Sequence, residues 1–266
     1  MSAETGPVRY ELADGVATVT LDRPDAMNAL DVATKDALRD AVHRAAADDA
    51  ARAVVLTGTG RAFCVGQDLR EHVAGLRSDE PAPLSDTVEA HYNPIVTALA
   101  TMPKPVVAAV NGVAAGAGAS LTFACDFRIL AASASYNLAF ASIALSCDTG
   151  ASWTLPRLVG HARATDLLMR PRTIHAREAE EMGLATDVVP SERLARDAHA
   201  FAARLAEGPT LALASIKRAL AFSATHDLPA SLTHEAQKMA FTGASTDHAA
   251  AVEAFLAKEK PEFTGR

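Results

Sequence analysis

Two short apolar runs, Ala53–Thr57 and Val106–Val110, each stop at a glycine-rich turn: Gly58-Thr59-Gly60 after the first and Asn111–Gly118 (NGVAAGAG) after the second. Runs this short, bounded by glycine, read as buried strands rather than helices. Phe127–Ala131 has the same character. Strands of this kind need helices to cover them, and the intervening sequence supplies helical periodicity. Residues 31–48 place Ala37, Leu38, Ala41, Val42 and Ala45 on one side, and 88–100 and 119–125 also read as helical. At the start, Val8–Leu12 and Val16–Leu21 flank Asp14-Gly15, which predicts a hairpin. Residues 77–87 (RSDEPAPLSDT) and 132–149 carry no period and read as a mobile loop and irregular chain. From Ser152 onward the pattern is mostly helical, over 152–159, 162–169, 176–182, 191–206, 210–222, 228–241 and 247–258. The expectation is an α/β core over residues 1–200 with a helical region over 201–266.

Composition narrows the function. Of 266 residues 59 are alanine and only 13 aromatic, so the core must come from closely packed small-residue helices, which argues against a β-sandwich. A net charge of −7 gives no reason to expect a nucleic acid or an anionic membrane as partner. No apolar run is long enough to span a bilayer, and MSAETGPVRYELADG lacks the basic and apolar regions of a secretory signal. Cys64, Cys125 and Cys147 are odd in number without CxxC spacing, so the chain is expected to be reduced and cytoplasmic.

Common catalytic patterns are missing. No HExxH, Cys/His metal spacing or GxxxxGK[ST] occurs, so no metal is expected. GxSxG fails because Thr154 stands where its second glycine belongs. The dinucleotide fingerprint is half-matched twice: Gly58-x-Gly60 runs on to Phe63, and Gly116-x-Gly118 to Leu121. Both places are nevertheless strand ends followed by small residues, where amides without intrahelical partners can bind an anion. Two converging N–H donors would make an oxyanion hole. The glycines could equally serve only tight turns and close packing.

LDRPDAMNAL (21–30), GRAFCVGQDL (60–69), PKPVVAAVNGVAAGAGASLTFACDF (103–127), EAEEMGLATDVV (178–189) and FLAKEKPEF (255–263) resemble, in order and spacing, the crotonase (enoyl-CoA hydratase/isomerase) superfamily. Within it GQDL, YNP (92–94), NGVAAGAGA and FTGR are most similar to the branch that isomerises epoxyphenylacetyl-CoA in phenylacetate degradation. The resemblance implies a spiral of ββα turns and a helical C-terminal trimerisation region, hence a homotrimer or dimer of trimers. It also implies an acyl-CoA substrate and no separate cofactor. By motif position the thioester oxygen would be held by the amides of Gln67, after Val65-Gly66, and of Ala117, after Gly116. CoA would run along Asp25-Ala26 and Val65, Gly66, Gln67, Asp68 and Leu69, with Phe255 and Lys258 reaching it from a neighbouring subunit. Lys258 taken alone is a solvated surface charge.

The pattern departs where hydratases of the superfamily keep two glutamates, for Ser120 and Phe140 occupy those places. Neither can move a proton as a carboxylate does. Asp148, in SCDTGASW, stands where isomerases and an aryl-CoA dehalogenase of the superfamily place an aspartate, and becomes the expected catalytic group. Its plainer reading is an N-cap for the helix near Ser152, a role open also to Thr149 and Ser152. Cys147 has no histidine near it in sequence and reads as a packing cysteine. His72, His91 and Tyr92 flank the loop and are candidates for lining the acyl pocket. A cofactor-independent acyl-CoA isomerase is the leading reading. A hydratase, an enzyme using Asp148 as nucleophile and a non-catalytic acyl-CoA binder are the alternatives.

Overall fold

The computed structural model describes residues 6–78 and 83–266. Strands β1 (Val8–Ala13) and β2 (Val16–Leu21) form the antiparallel hairpin, turning through Asp14 and Gly15 with φ of 52° and 71°. Both residues lie in the left-handed region, which suits the right-handed twist of a two-residue hairpin. Helix α1 (Val32–Ala47) starts where the Asp31 carboxylate accepts the Thr34 amide at 2.8 Å.

Strand β3 (Ala53–Gly58) pairs in parallel with β2 and is followed at once by β4 (Ala62–Cys64), which belongs to a second sheet. Three helical pieces come next: α2 (Leu69–Leu76), α3 (Leu84–Thr87) and α4 (Asn93–Thr101), the last preceded by a π-helical turn, Val88–Tyr92. The unit repeats. Strand β5 (Val106–Val110), buried throughout, leads to β6 (Val113–Ala115) and α5 (Ala117–Phe123). Then β7 (Phe127–Ala131) leads to β8 (Ser135–Asn137), α6 (Ala151–Val159) and α7 (His161–Met169). Strand β9 (Thr173–His175), α8 (Ala176–Glu181) and β10 (Asp187–Val189) complete two sheets, ordered β1-β2-β3-β5-β7-β10 and β4-β6-β8-β9. Each turn of this spiral thus places one strand in each sheet before its helix.

Helix α9 (Leu194–Ala206) crosses β2, β3, β5 and β7, burying Leu194, Ala198, Ala202 and Ala206 at every fourth position. A stripe of alanines lets it lie close to the sheet. The expected division at residue 200 falls inside this helix. Beyond it, α10 (Thr210–Ser223) and α11 (Leu228–Gly243) pack together, followed by α12 (Thr246–Ala257). These helices leave large apolar side chains in solvent, Met239 at 73% and Phe255 at 82% of full exposure. The chain end returns to the body: Asp247 accepts the amides of Thr264 and Gly265, and the Arg52 guanidinium donates to Phe263 O at 2.7 Å. Among the described residues no helix is long and apolar enough to cross a membrane.

Three expectations are corrected. Residues 132–149 are not wholly irregular, since they hold β8 and a 3-10 turn at Ala141–Ile143. The expected loop 77–87 becomes helical at Leu84; its residues 79–82 lie outside the described ones. The helix expected from 88 begins as a π turn, which ends at the fully buried Tyr92.

Candidate active site

The ends of β4 and β6 meet across two glycines. Gly66 has φ of 85°, and a side chain there would come within 3.0 Å of Ala115 O and 3.4 Å of Ala117 N. At Gly118 a side chain would collide with Cys64 O, so α5 can seat its first turn against β4 only because that residue is glycine. The peptide of Gln67 is fixed from its flanks: Leu30 N donates to Gly66 O at 2.8 Å and Asp68 N to Leu30 O at 3.1 Å. The amides of Gln67 and Ala117 donate to no backbone oxygen among the described residues. Two free N–H groups therefore lie on adjoining loops, the second at the N-terminus of α5.

A cavity of about 470 Å³ opens beside Gln67. Its wall runs from Leu69 and His72 of α2, through Leu84, Val88, Glu89 and Tyr92, to the segment Ile143–Gly150 and Ser152. The Asp148 side chain is half-buried in this wall and accepts the Thr149 hydroxyl at 2.7 Å. Burial raises its carboxyl above the ordinary 3.8, with the hydrogen bonds from Thr149 and from its own amide opposing the shift. Helix α6 is capped by Gly150 with no side-chain hydrogen bond, so none of Asp148, Thr149 and Ser152 serves as the expected cap. The backbone instead passes through two consecutive left-handed residues, Thr149 at φ 53° and Gly150 at φ 73°, immediately after the carboxylate.

Sequence reasoning named Tyr92 and Gln67 but not Lys35 or the bonds that join the three. The Tyr92 hydroxyl donates to Gln67 Oε1 at 2.5 Å, and the Lys35 ammonium donates to the same oxygen at 3.3 Å. Burial first, then the nearby charge of Asp148, holds the phenol far above its ordinary range, so it remains a neutral donor. Lys35 falls three residues before Leu38 on the buried stripe of α1, but a lysine at the end of such a stripe ordinarily reaches water, and nothing in the sequence names the partners that keep this one buried. Glu89, exposed on the rim, was also unmarked.

On the other side of Gln67 lies an open groove of about 750 Å³, lined by Arg23, Asp25, Ala26, Arg61, Val65, Gln67, Asp68 and Leu69 among others. Gln67 and Leu69 line both spaces. Ser120 is fully buried, its hydroxyl turned back to Gly116 O at 3.1 Å, and the Phe140 ring lies over Gly116. Neither cavity is lined by Gly116, Ala117 or His91; His91 turns away toward Thr87 and Asp36. Phe255 on α12 and Lys258 just past its end are exposed, and this protomer does not bring them to the cavity. Cys147 lines the cavity, whereas burial pushes the Cys64 and Cys125 thiols up to about 12. No cluster of metal-ligating side chains occurs among the described residues.

A 1,2-epoxyphenylacetyl-CoA isomerase of Escherichia coli is 42% identical over 95% of this chain and 96% of its own. A Rhodobacter capsulatus protein described as a probable enoyl-CoA hydratase is 45% identical over 97% of this chain and 98% of its own. The solved structure of a candidate enoyl-CoA hydratase/isomerase from Mycobacterium abscessus superposes with a TM-score of 0.93 at 46% identity, covering 97% of this chain and 100% of that one. The sequence model of the enoyl-CoA hydratase/isomerase family matches residues 11–266. With this match over nearly its whole length and a fold shared with solved members, the chain belongs to the enoyl-CoA hydratase/isomerase family and has the crotonase fold.

Proposed function

We propose that the protein is an acyl-CoA isomerase in which Asp148 relays one proton. A thioester seated with its carbonyl oxygen between the amides of Gln67 and Ala117 becomes more acidic at the adjoining carbon, because the charge of the enolate falls on that oxygen. Asp148 takes the proton as a carboxylate and returns it to another carbon of the same delocalised anion, so nothing is added or lost. The reading is carried by one observation: Asp148 is the half-buried carboxylate of the cavity, and burial makes it more basic, while Ser120 and Phe140 bear no acid. Thr149 orients it.

CoA would occupy the groove along Asp25-Ala26 and Val65–Leu69, where Arg23 and Arg61 offer positive charge. Phe255 and Lys258 would join it from the next subunit of a trimer. The acyl cavity is lined by Leu69, Leu84, Val88, Ile143 and Leu145, which suits an apolar or aromatic group, and the E. coli relative takes the reading toward ring-epoxidised phenylacetyl-CoA. No cofactor enters this scheme beyond the CoA of the substrate. A second reading, hydration of an enoyl-CoA, is favoured by the name of the Rhodobacter relative. Incubation with 2-enoyl- and 3-enoyl-CoA in heavy water separates the two. Deuterium uptake with double-bond migration supports the isomerase, and a 3-hydroxyacyl product supports the hydratase. Neither reaction from any acyl group tried, including epoxyphenylacetyl-CoA, would leave a binder.

A further inference from the structure

Lys35 is only 1% exposed, although it lies on an otherwise amphipathic helix. An ammonium has three donors, and here each finds an oxygen from a different segment: Thr87 Oγ1 at 2.8 Å, Gln67 Oε1 at 3.3 Å and Glu71 Oε1 at 3.3 Å. Gln67 is held as completely. Its Oε1 accepts from both Lys35 and Tyr92, and its Nε2 donates to Glu71 Oε1 at 3.3 Å. Glu71 in turn accepts the Val32 amide at 2.7 Å, which ties the network to the first turn of α1. Burying a cation costs free energy that only such a full set of partners offsets. A lysine needed merely to complete a helix face would have stayed in water.

We propose that Lys35 and Tyr92 are positioning residues that clamp the Gln67 side chain and thereby aim its main-chain N–H at the thioester oxygen. The inference rests on the proposed role of that amide. The peptide bonds on either side of Gln67 are held by Leu30 alone, and the side-chain clamp adds a second hold on the torsions between them. Because Thr87 closes the segment that forms the cavity roof, the same ammonium also makes the setting of the roof and the setting of Gln67 one event.

The test uses Lys35→Met and Tyr92→Phe, which keep bulk and remove the clamp. Benzoyl-CoA labelled at its thioester carbonyl has no hydrogen on the adjoining carbon, so it binds without being consumed. In the parent protein its carbonyl stretch should fall on binding, the signature of two N–H donors. In each variant that shift should shrink by roughly half, and kcat for double-bond migration should fall about tenfold with KM within about twofold, the pattern of a misaimed donor. Tyr92→Phe loses one hydroxyl and carries the same measurement should Lys35→Met fail to fold. Variants that keep both the full shift and kcat, or that lose only thermal stability, overturn the proposal. No shift in the parent protein would instead remove the Gln67 amide as a thioester donor, and the function reading would fall with it.

Discussion

At the residue scale Asp148 carries opposed demands. Burial lifts its carboxyl above 3.8, so the folded protein holds its proton over a pH range in which the unfolded chain has released it. Folding stability therefore falls as pH rises from about 3.8 through that raised value, and the cost persists at neutral pH. Asp148→Asn should then melt at a higher temperature than the parent at neutral pH, an advantage that disappears in acid. Its activity should drop by roughly 10²–10⁴-fold, the usual contribution of a positioned acid or base, with KM little changed. Calorimetry across pH beside kcat measurements checks both halves, and undiminished activity would sink the proton relay. In the parent protein kcat should rise with pH on its acidic limb, since only the carboxylate accepts a proton. Asn28 matters differently. It is buried with φ at 55°, and its amide donates to Thr59 O and Ala62 O while accepting the Arg23 amide. Asn28→Ala leaves Thr59 O and the Arg23 amide unpaired, while Ala62 O keeps the Asn111 side-chain amide, and should cost roughly 2–4 kcal/mol in denaturant unfolding, at about 1–3 kcal/mol for each polar group left unmet.

At the element scale the contact of α5 with β4 sets where Ala117 presents its amide. Gly118→Ala inserts a methyl against Cys64 O and must push the helix outward. We expect a loss of roughly 1–3 kcal/mol from overpacking and a fall in kcat on the order of 10²-fold from the displaced N–H. A variant with parent-like melting and turnover would show that this approach is not needed. Elements of this size also decide what a sequence discloses. Leu194, Ala198, Ala202 and Ala206 announce α9 through their period, and Asp31 announces the start of α1. Strands β4, β6, β8 and β9 have three residues each, too short for any alternation to be visible. Their existence depends on partners distant in the chain, as when Ala62 aligns with Val113 and Val113 with Ser135. Asp148 and Gln67 were legible through motif position, yet the clamp on Gln67 was not. Lysine at position 35 and tyrosine at 92 come together only once α1 and the π turn are packed.

For the whole molecule, the exposed Ile216, Leu220, Met239 and Leu256 of the last three helices are more apolar surface than a solitary protomer would leave in water. We expect a trimer or a dimer of trimers, and sedimentation equilibrium at micromolar concentration checks it; a stable monomer would refute it and would leave Lys258 no route to CoA. Lys258→Ala in the trimer should raise the Kd for a CoA ester by no more than about fivefold, a loss on the order of 1 kcal/mol for one exposed phosphate contact, without slowing bound turnover. The partition at Gln67 and Leu69, which belong to both the groove and the cavity, has a further consequence. A ligand spanning it is tethered: once its nucleotide end docks, the acyl end experiences a high local concentration at the second chamber, and modest affinities multiply. Severing the tether should abolish that gain without creating rivalry. Free CoA and a small aromatic acid offered together should occupy the two chambers independently, each inhibiting turnover of the intact thioester and neither displacing the other.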